Sequence, residues 1–374
     1  MYGEENYLNF AQHIGTETKL EIPEETLTVA MARPYGAEIK LVIDFESCYF
    51  RDVLYDEDLH KERDVQYGYD EAFIREILLK YKKSTTGIAI PFFHNRYKYL
   101  LEESFYANDL EQIDLQLEEC DNEDCRFDHL ELTIKSFNSV IAKYAEKLRH
   151  LGICGMDVCS DNWSDIANIK NLTSLSLSNF ICNGSIFVIN KVNFERITKL
   201  TLCKVDLIED IDSEDFIFKN LSDLSLVHVN PTLSVPLIKK NSKTLTKLKI
   251  GFNRCYIHEN EIVNFNDIKF SKLRYLKIQE MYETAALSLM QNAIDTLEEI
   301  CICDNLKENL ESVVEFRLPH VKKINFKVNF YHFQSFLSSR LVYSLIYACN
   351  ENTIFLLNDE NICKPMIEYL RNKW

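Results

Sequence analysis

The residues best suited to chemistry in this chain are its twelve cysteines: Cys48, Cys120, Cys125, Cys154, Cys159, Cys182, Cys203, Cys255, Cys301, Cys303, Cys349 and Cys363. A thiolate can attack an electrophile, and grouped thiolates can hold a metal. Spacing decides which. Four residues separate Cys120 from Cys125 and Cys154 from Cys159, and one separates Cys301 from Cys303. None of these is a C-x-x-C pair matched by a second pair, the arrangement that builds a tetrahedral zinc site. Other catalytic patterns are missing. The chain has no G-x-G-x-x-G, G-x-x-x-x-G-K-[ST], G-x-S-x-G or H-E-x-x-H, and His258-Glu259 lacks the second histidine. Nine glycines leave little material for phosphate-cradling loops. The expectation is a protein without catalytic residues, metal or cofactor, and not an enzyme.

Charge narrows the partners. The net charge is −16 and the pI is near 5.1. An acidic surface repels phosphate backbones and anionic lipid, so neither nucleic acid nor a membrane is expected. Ten acids and no Lys or Arg lie between Leu101 and Cys125, which reads as a solvated edge or a docking surface for a basic partner. The opening MYGEENYLNFAQHIG has early acids and no apolar core, unlike a signal peptide. No apolar run approaches the roughly 18 residues of a membrane span. An intracellular protein, cytoplasmic or nuclear, with reduced thiols is the expectation. The sequons at Asn162, Asn171, Asn183 and Asn220 then read as chance matches.

What could position any functional residue is a repeat. The pattern L-x-x-L-x-L, with an apolar residue or Asn three places later, recurs from Leu148, Leu172, Ile197, Leu221, Leu245, Leu273, Leu297 and Val321. Successive copies start 24, 25, 24, 24, 28, 24 and 24 residues apart. Single matches arise by chance in a Leu-rich chain, but eight in near-constant register do not. The clearest are Leu172-Leu175-Leu177-Phe180 and Leu221-Leu224-Leu226-Val229; Leu245-Leu248-Ile250-Asn253 carries the Asn. This pattern resembles the leucine-rich-repeat family over about half the chain. The resemblance implies an α/β solenoid with a curved parallel sheet, and a binding rather than catalytic role.

Local patterning agrees. Each L-x-L is a short strand with one buried face, and the next roughly 18 residues return along the other side. Thr284–Ile294 and Asn309–Phe316 have helical patterning. Upstream, Ile39–Ile43, Gly87–Ile90, Ile113–Leu117 and Leu130–Ile134 read as strands, Asp70–Lys83 as a helix capped by Asp70, and Asn138–Lys147 as another helix. Phe333–Asn350 and Asn361–Asn372 read as closing helices. The organisation expected is an N-terminal segment (1–35), divergent repeats or an α/β cap (36–125), the solenoid (126–330) and a helical C-terminal cap (331–374).

Strand alternation also predicts which side chains face outward. One outward position runs His150, Ser174, Lys199, Asp223, Lys247, Tyr275, Glu299, Lys323, and the next Gly152, Ser176, Thr201, Ser225, Lys249, Lys277, Cys301, Asn325. Lys199, Lys247, Lys249, Phe252, Tyr275, Lys277, Lys323 and Lys327 form a basic, aromatic-dotted strip on an acidic protein. This predicts a protein partner on the concave face of an adaptor or scaffold. The alternative is a substrate receptor of a ubiquitin ligase, recruiting its adaptor through residues 1 to about 60. Ile22-Pro-Glu-Glu-Thr-Leu27 resembles the opening of an F-box. Pro34 and Gly36 interrupt the helix that should follow, and no later Val-Cys-Trp-like segment is found.

Overall fold

A computed structural model describes residues 32–35, 38–44, 85–90, 110–116, 141–154, 169–181, 195–206, 218–252, 263, 265–303, 314–328, 339–362 and 367. The helix expected over Asp70–Lys83, the strand at Leu130–Ile134, and Asn253, Asn305 and Asn329 lie outside these residues. So do Ile22–Leu27 and His258-Glu259. The chain divides into two compact units, Met1–Gly155 with Ser164–Asn171, and Met156–Trp163 with Leu172–Trp374.

The first unit contains β1 (Ala32–Tyr35), β2 (Glu38–Asp44), β3 (Thr85–Ile90), β4 (Gln112–Gln116) and β5 (His150–Cys154). β1 pairs antiparallel with β2, and β2, β3, β4 and β5 follow in parallel. The upstream strands expected at Ile39–Ile43, Gly87–Ile90 and Ile113–Leu117 therefore form. Their apolar positions are in register: Ile88 lies beside Ile113, which lies beside Leu151. The acidic stretch contributes β4, and Glu111 pairs with Arg149 at 3.7 Å. Of the expected helix Asn138–Lys147, residues 141–144 are helical and 145–147 form a turn, while 138–140 lie outside the described residues.

The second unit repeats one strand per copy. β6 (Ser174–Ile181), β7 (Lys199–Asp206), β8 (Asp223–Val227), β9 (Lys247–Gly251), β10 (Tyr275–Gln279), β11 (Glu299–Cys303), β12 (Lys323–Lys327) and β13 (Ile354–Leu357) are parallel neighbours in chain order. β14 (Glu360–Asn361) turns back antiparallel on β13. This unit includes the helices α1 (Pro231–Asn241), α2 (Glu283–Asn292) and α3 (Arg340–Ala348). This is a repeat protein built on an open parallel sheet. No helix among the described residues is long and apolar enough to cross a membrane.

Register explains why the repeat must be so regular. Leu175, Leu200, Leu224, Leu248, Leu276, Ile300 and Ile324 are cross-strand neighbours in one line. Leu177, Leu202, Leu226, Ile250, Ile278, Ile302 and Phe326 form a second line. In all eight copies the first, middle and last apolar residues are at most 4% exposed. Each buried aliphatic side chain contributes roughly 1.5–3 kcal/mol, so the lines hold much of the stability.

The strand entry is tied by a second ladder. The backbone N–H groups of Thr198 and Lys199 both donate to Thr173 O, those of Ser222 and Asp223 to Thr198 O, and those of Thr246 and Lys247 to Ser222 O. Thr198, Ser222 and Thr246 add side-chain hydroxyls to the same carbonyls. Asn171 and Asn220, two of the sequon residues, donate to Glu146 O and Glu195 O. The strand exit uses the left-handed region. Lys204, His228 and Glu280, each two residues past the last apolar position, have φ of 51°, 55° and 49°. That turn brings Val205, Val229 and Met281 back into the core, where all are fully buried.

Return helices seal the other side. Asn230 caps α1, accepting from Thr232 N at 3.0 Å, and Pro231 starts the helix, where its missing N–H costs nothing. The helix expected at Thr284–Ile294 is α2. Part of Phe333–Asn350 is α3. Val314–Phe316 are not helical, and the rest of Asn309–Phe316 is outside the described residues. The C-terminal region is also not purely helical, because β13 and β14 lie within it. β13 is a ninth strand that the motif missed: Phe355 and Leu357 hold the middle and last positions, but Asn352 replaces the first apolar residue.

Glu283 joins two return segments. It is fully buried at the start of α2, and its Oε1 accepts from Ser339 Oγ at 2.7 Å and from Leu341 N at 3.3 Å. Ser339 caps α3 in turn by accepting from Val342 N. Glu283→Ala leaves buried donors without their acceptor and is expected to cost about 2–3 kcal/mol in urea unfolding. Leu248→Asp places a charge in the stacked line and is expected to abolish cooperative melting; a soluble, cooperatively melting variant would contradict the register.

Candidate functional site

The outward face of the second unit's sheet carries three rows of side chains, because alternate strand residues share a face. The first row runs Ser174, Lys199, Asp223, Lys247, Tyr275, Glu299, Lys323, Ile354. The second runs Ser176, Thr201, Ser225, Lys249, Lys277, Cys301, Asn325, Leu356. The third runs Ser178, Cys203, Val227, Gly251, Gln279, Cys303, Lys327.

The expected strip divides on this geometry. Lys199, Lys247, Lys249 and Lys327 are exposed, while Tyr275, Lys277 and Lys323 are half-buried. Asp223 stands between Lys199 and Lys247, and Glu299 between Tyr275 and Lys323, so the first row alternates in sign. Lys199 is thereby separated from the other lysines. The second row is different. Lys249 and Lys277 are direct cross-strand neighbours, flanked by Ser225 and Cys301. Strands lie about 4.8 Å apart, so two like charges adjoin with no acid beside them in their row.

Phe252 leaves the strip. It is 1% exposed, and its ring stacks on Phe265 with centroids 6.4 Å apart. The cause is the strand exit. Phe252 occupies the position that Lys204, His228 and Glu280 fill in other repeats, but it is not left-handed, and its side chain joins the core. The aromatic residue that remains on the face is Tyr275. Burial first, then the neighbouring Cys301, Cys303 and Glu299, push its phenol up to about 12.

At the C-terminal end Lys327 is already engaged. Its Nζ lies 3.1 Å from Asp359 Oδ2, and Asn325 Nδ2 donates to Asp359 Oδ1 at 2.6 Å. The tight turn at Asn358 and Asp359, with φ of 50° and 69°, aims the carboxylate back at β12. Lys327 and Asn325 hold the Asp359 carboxyl below the usual range, and Asp359 raises Lys327.

Beside this pair lie the two thiols on β11. Cys301 is buried and Cys303 half-buried. Two residues apart on one strand face, the thiols are coupled: Cys303 raises the Cys301 thiol, and Cys301 lowers the Cys303 thiol. Burial opposes the shift at Cys303, but Lys277 and Lys327 reinforce it, and the Cys303 thiol falls to about 7. Cys301-x-Cys303 was legible as an outward pair. Its lysines were not assigned to it, although the repeat period places Lys277 beside Cys301 and Lys327 beside Cys303.

Gly251 fits the same face closely. A Cβ there would stand 2.3 Å from Gln279 Cγ and 3.0 Å from Gln279 O. The side chain can swing away, but the carbonyl is fixed in the ladder. Gly251→Val is therefore expected to lower stability by about 1–3 kcal/mol, read as a lower urea midpoint at unchanged slope.

No family model matches the chain, and no curated relative matches it. Among solved structures it is similar to a chain in the crystal structure of the Rad7 and Elc1 complex in yeast. The two share 14% identity over 76% of this chain and 78% of that one, with a TM-score of 0.39.

Proposed function

We propose that this chain is a leucine-rich-repeat binding protein with no catalytic role, which holds an acidic segment of a protein partner against β9 and β10. The observation that carries the reading is the adjacency of Lys249 and Lys277, with Lys247 on the same strand face and no acid beside them in their row. Among the described residues, Lys247 and Lys249 make no side-chain hydrogen bond or ion pair. Like charges side by side destabilise a sheet, so an arriving carboxylate relieves a cost the free protein already carries.

Net charge does not oppose this. The chain is acidic overall. Charges beyond about 8 Å are largely screened at physiological salt, so the nearest lysines dominate what a docked segment meets. Tyr275, cross-strand from Lys247, offers an amphipathic surface next to them. Solenoid sheets commonly bind along such outward faces, which supports the location.

Lys247→Glu combined with Lys249→Glu is expected to weaken binding at least about tenfold, near 1.4 kcal/mol, with melting unchanged. Affinity purification with the native and doubly substituted chains, followed by mass spectrometry, identifies partners that depend on the strip. Equal recovery of every partner by both chains would place the site elsewhere. Recovery of a small adaptor with a cullin, lost on deleting residues 1–60, would instead support the ligase-receptor reading.

A further inference from the structure

We propose that Cys303 is a site of reversible thiolation by anionic low-molecular-weight disulfides, with Cys301 and Lys277 as the residues that activate it and Lys249 and Lys277 as the cations that receive the incoming carboxylates. The geometry begins with strand alternation. Cys301 and Cys303 are two residues apart on β11, so both side chains share the outward face, with Lys277 cross-strand from Cys301 and Lys327 cross-strand from Cys303. Cys301 is only 4% exposed and unavailable for attack, whereas Cys303 is reachable. The pair divides labour: one thiol is buried and the other accessible.

Among the described residues the charged groups around the pair are these: β10 brings Tyr275 and Lys277, with Glu280 beyond its end; β11 brings Glu299; β12 brings Lys323 and Lys327; and the turn before β14 brings Asp359. Lys277, cross-strand from Cys301, adds a positive charge that favours the Cys303 thiolate. Lys327 is shared with Asp359, which blunts its effect. Glu280 lies 3.5 Å from His228 on the far side of β10's end. Lys249 stands next to Lys277 with no acid beside it in the row, so the approach to Cys303 from β9 and β10 is cationic.

The step balances without a further reagent. The Cys303 thiolate attacks one sulfur of an oxidised disulfide. A new S–S bond forms to Cys303, the original S–S bond breaks, and the departing thiolate takes a proton from water. Cys303 is oxidised and half of the reagent is reduced. A reduced low-molecular-weight thiol reverses it.

The lowered Cys303 thiol carries more thiolate at neutral pH, a gain that exceeds the weaker nucleophilicity of a more acidic sulfur, because the Brønsted slope is only about 0.4–0.5. Cys203 is the internal control. It is half-buried in the same row of the face, but its cross-strand neighbours are Ser178 and Val227 rather than lysines.

The test uses the full chain with glutathione disulfide at neutral pH, quantified by peptide mapping. Cys303 is expected to gain adduct several times faster than Cys203. The ratio should be smaller with cystamine, a cationic disulfide, and smaller again when Lys277→Met is treated with glutathione disulfide. The pH midpoint of Cys303 alkylation by iodoacetamide should lie near 7 and move upward in Cys301→Ala, with circular dichroism unchanged in both variants. Equal rates at Cys303 and Cys203, a ratio indifferent to reagent charge, or an internal Cys301–Cys303 disulfide with no adduct would each overturn the proposal.

Discussion

Every feature of the second unit depends on one constraint: each strand must lie in register with the strand one repeat earlier. A parallel strand cannot bury its apolar face alone, and a shift of one residue would turn the leucines outward. The lines from Leu175 to Ile324 and from Leu177 to Phe326 exist because no strand slips. The ladder at the strand entries pins the register. Two consecutive N–H groups share one carbonyl of the previous repeat, and Thr or Ser hydroxyls reinforce it. The insertion that separates Leu245 from Leu273 by 28 residues leaves the pairing of β9 with β10 intact, so the extra length is absorbed off the sheet.

The same register composes the outward face. Because buried positions align, the positions between them align as well, and a residue's neighbours on the face are set by residues about 24 positions away. Lys249 meets Lys277, and Cys303 meets Lys327, for this reason alone. Such a frame lets chemistry vary with little effect on stability. The ion pairs of Glu298 with Arg274 and Lys322 at the strand entry involve exposed partners and contribute little to folding. Glu283 is the opposite case, since its carboxylate is buried and holds the start of α3 to the start of α2.

Much of this was legible in the sequence, and the failures share a cause. Period and alternation were sufficient for the buried lines, for the strands at Ile39–Ile43, Gly87–Ile90 and Ile113–Leu117, and for α2. Backbone conformation was not legible. Phe252 is apolar where Lys204, His228 and Glu280 are polar, but residue type does not give backbone conformation: three of these positions are left-handed and one is not, which moves an expected anchor into the core. β13 escaped because Asn352 stands where the motif requires a leucine, although Phe355 and Leu357 continue both lines. Neither α1 nor the Glu283 contact has a periodic signal. The helix depends on an Asn-Pro start at residues 230 and 231, and the contact spans 56 residues.

The face was legible as a list but not as a charge pattern, and that difference bears on function. Counting lysines along the strip suggested a uniform basic band. Cross-strand order shows that Asp223 and Glu299 interrupt the first row and that Asp359 occupies Lys327. Positive charge with no acid beside it in its row is therefore left at Lys249 and Lys277, beside the thiols of β11. A concentrated patch discriminates better than a diffuse band, because screening within about 8 Å leaves each docked carboxylate answering to its nearest neighbours. The patch and the thiol pair share Lys277. On the proposals above, a ligand drawn to one meets the other: Cys301 first lowers the Cys303 thiol and Lys277 adds to it, and Lys277 is fixed in place by the leucines beneath it.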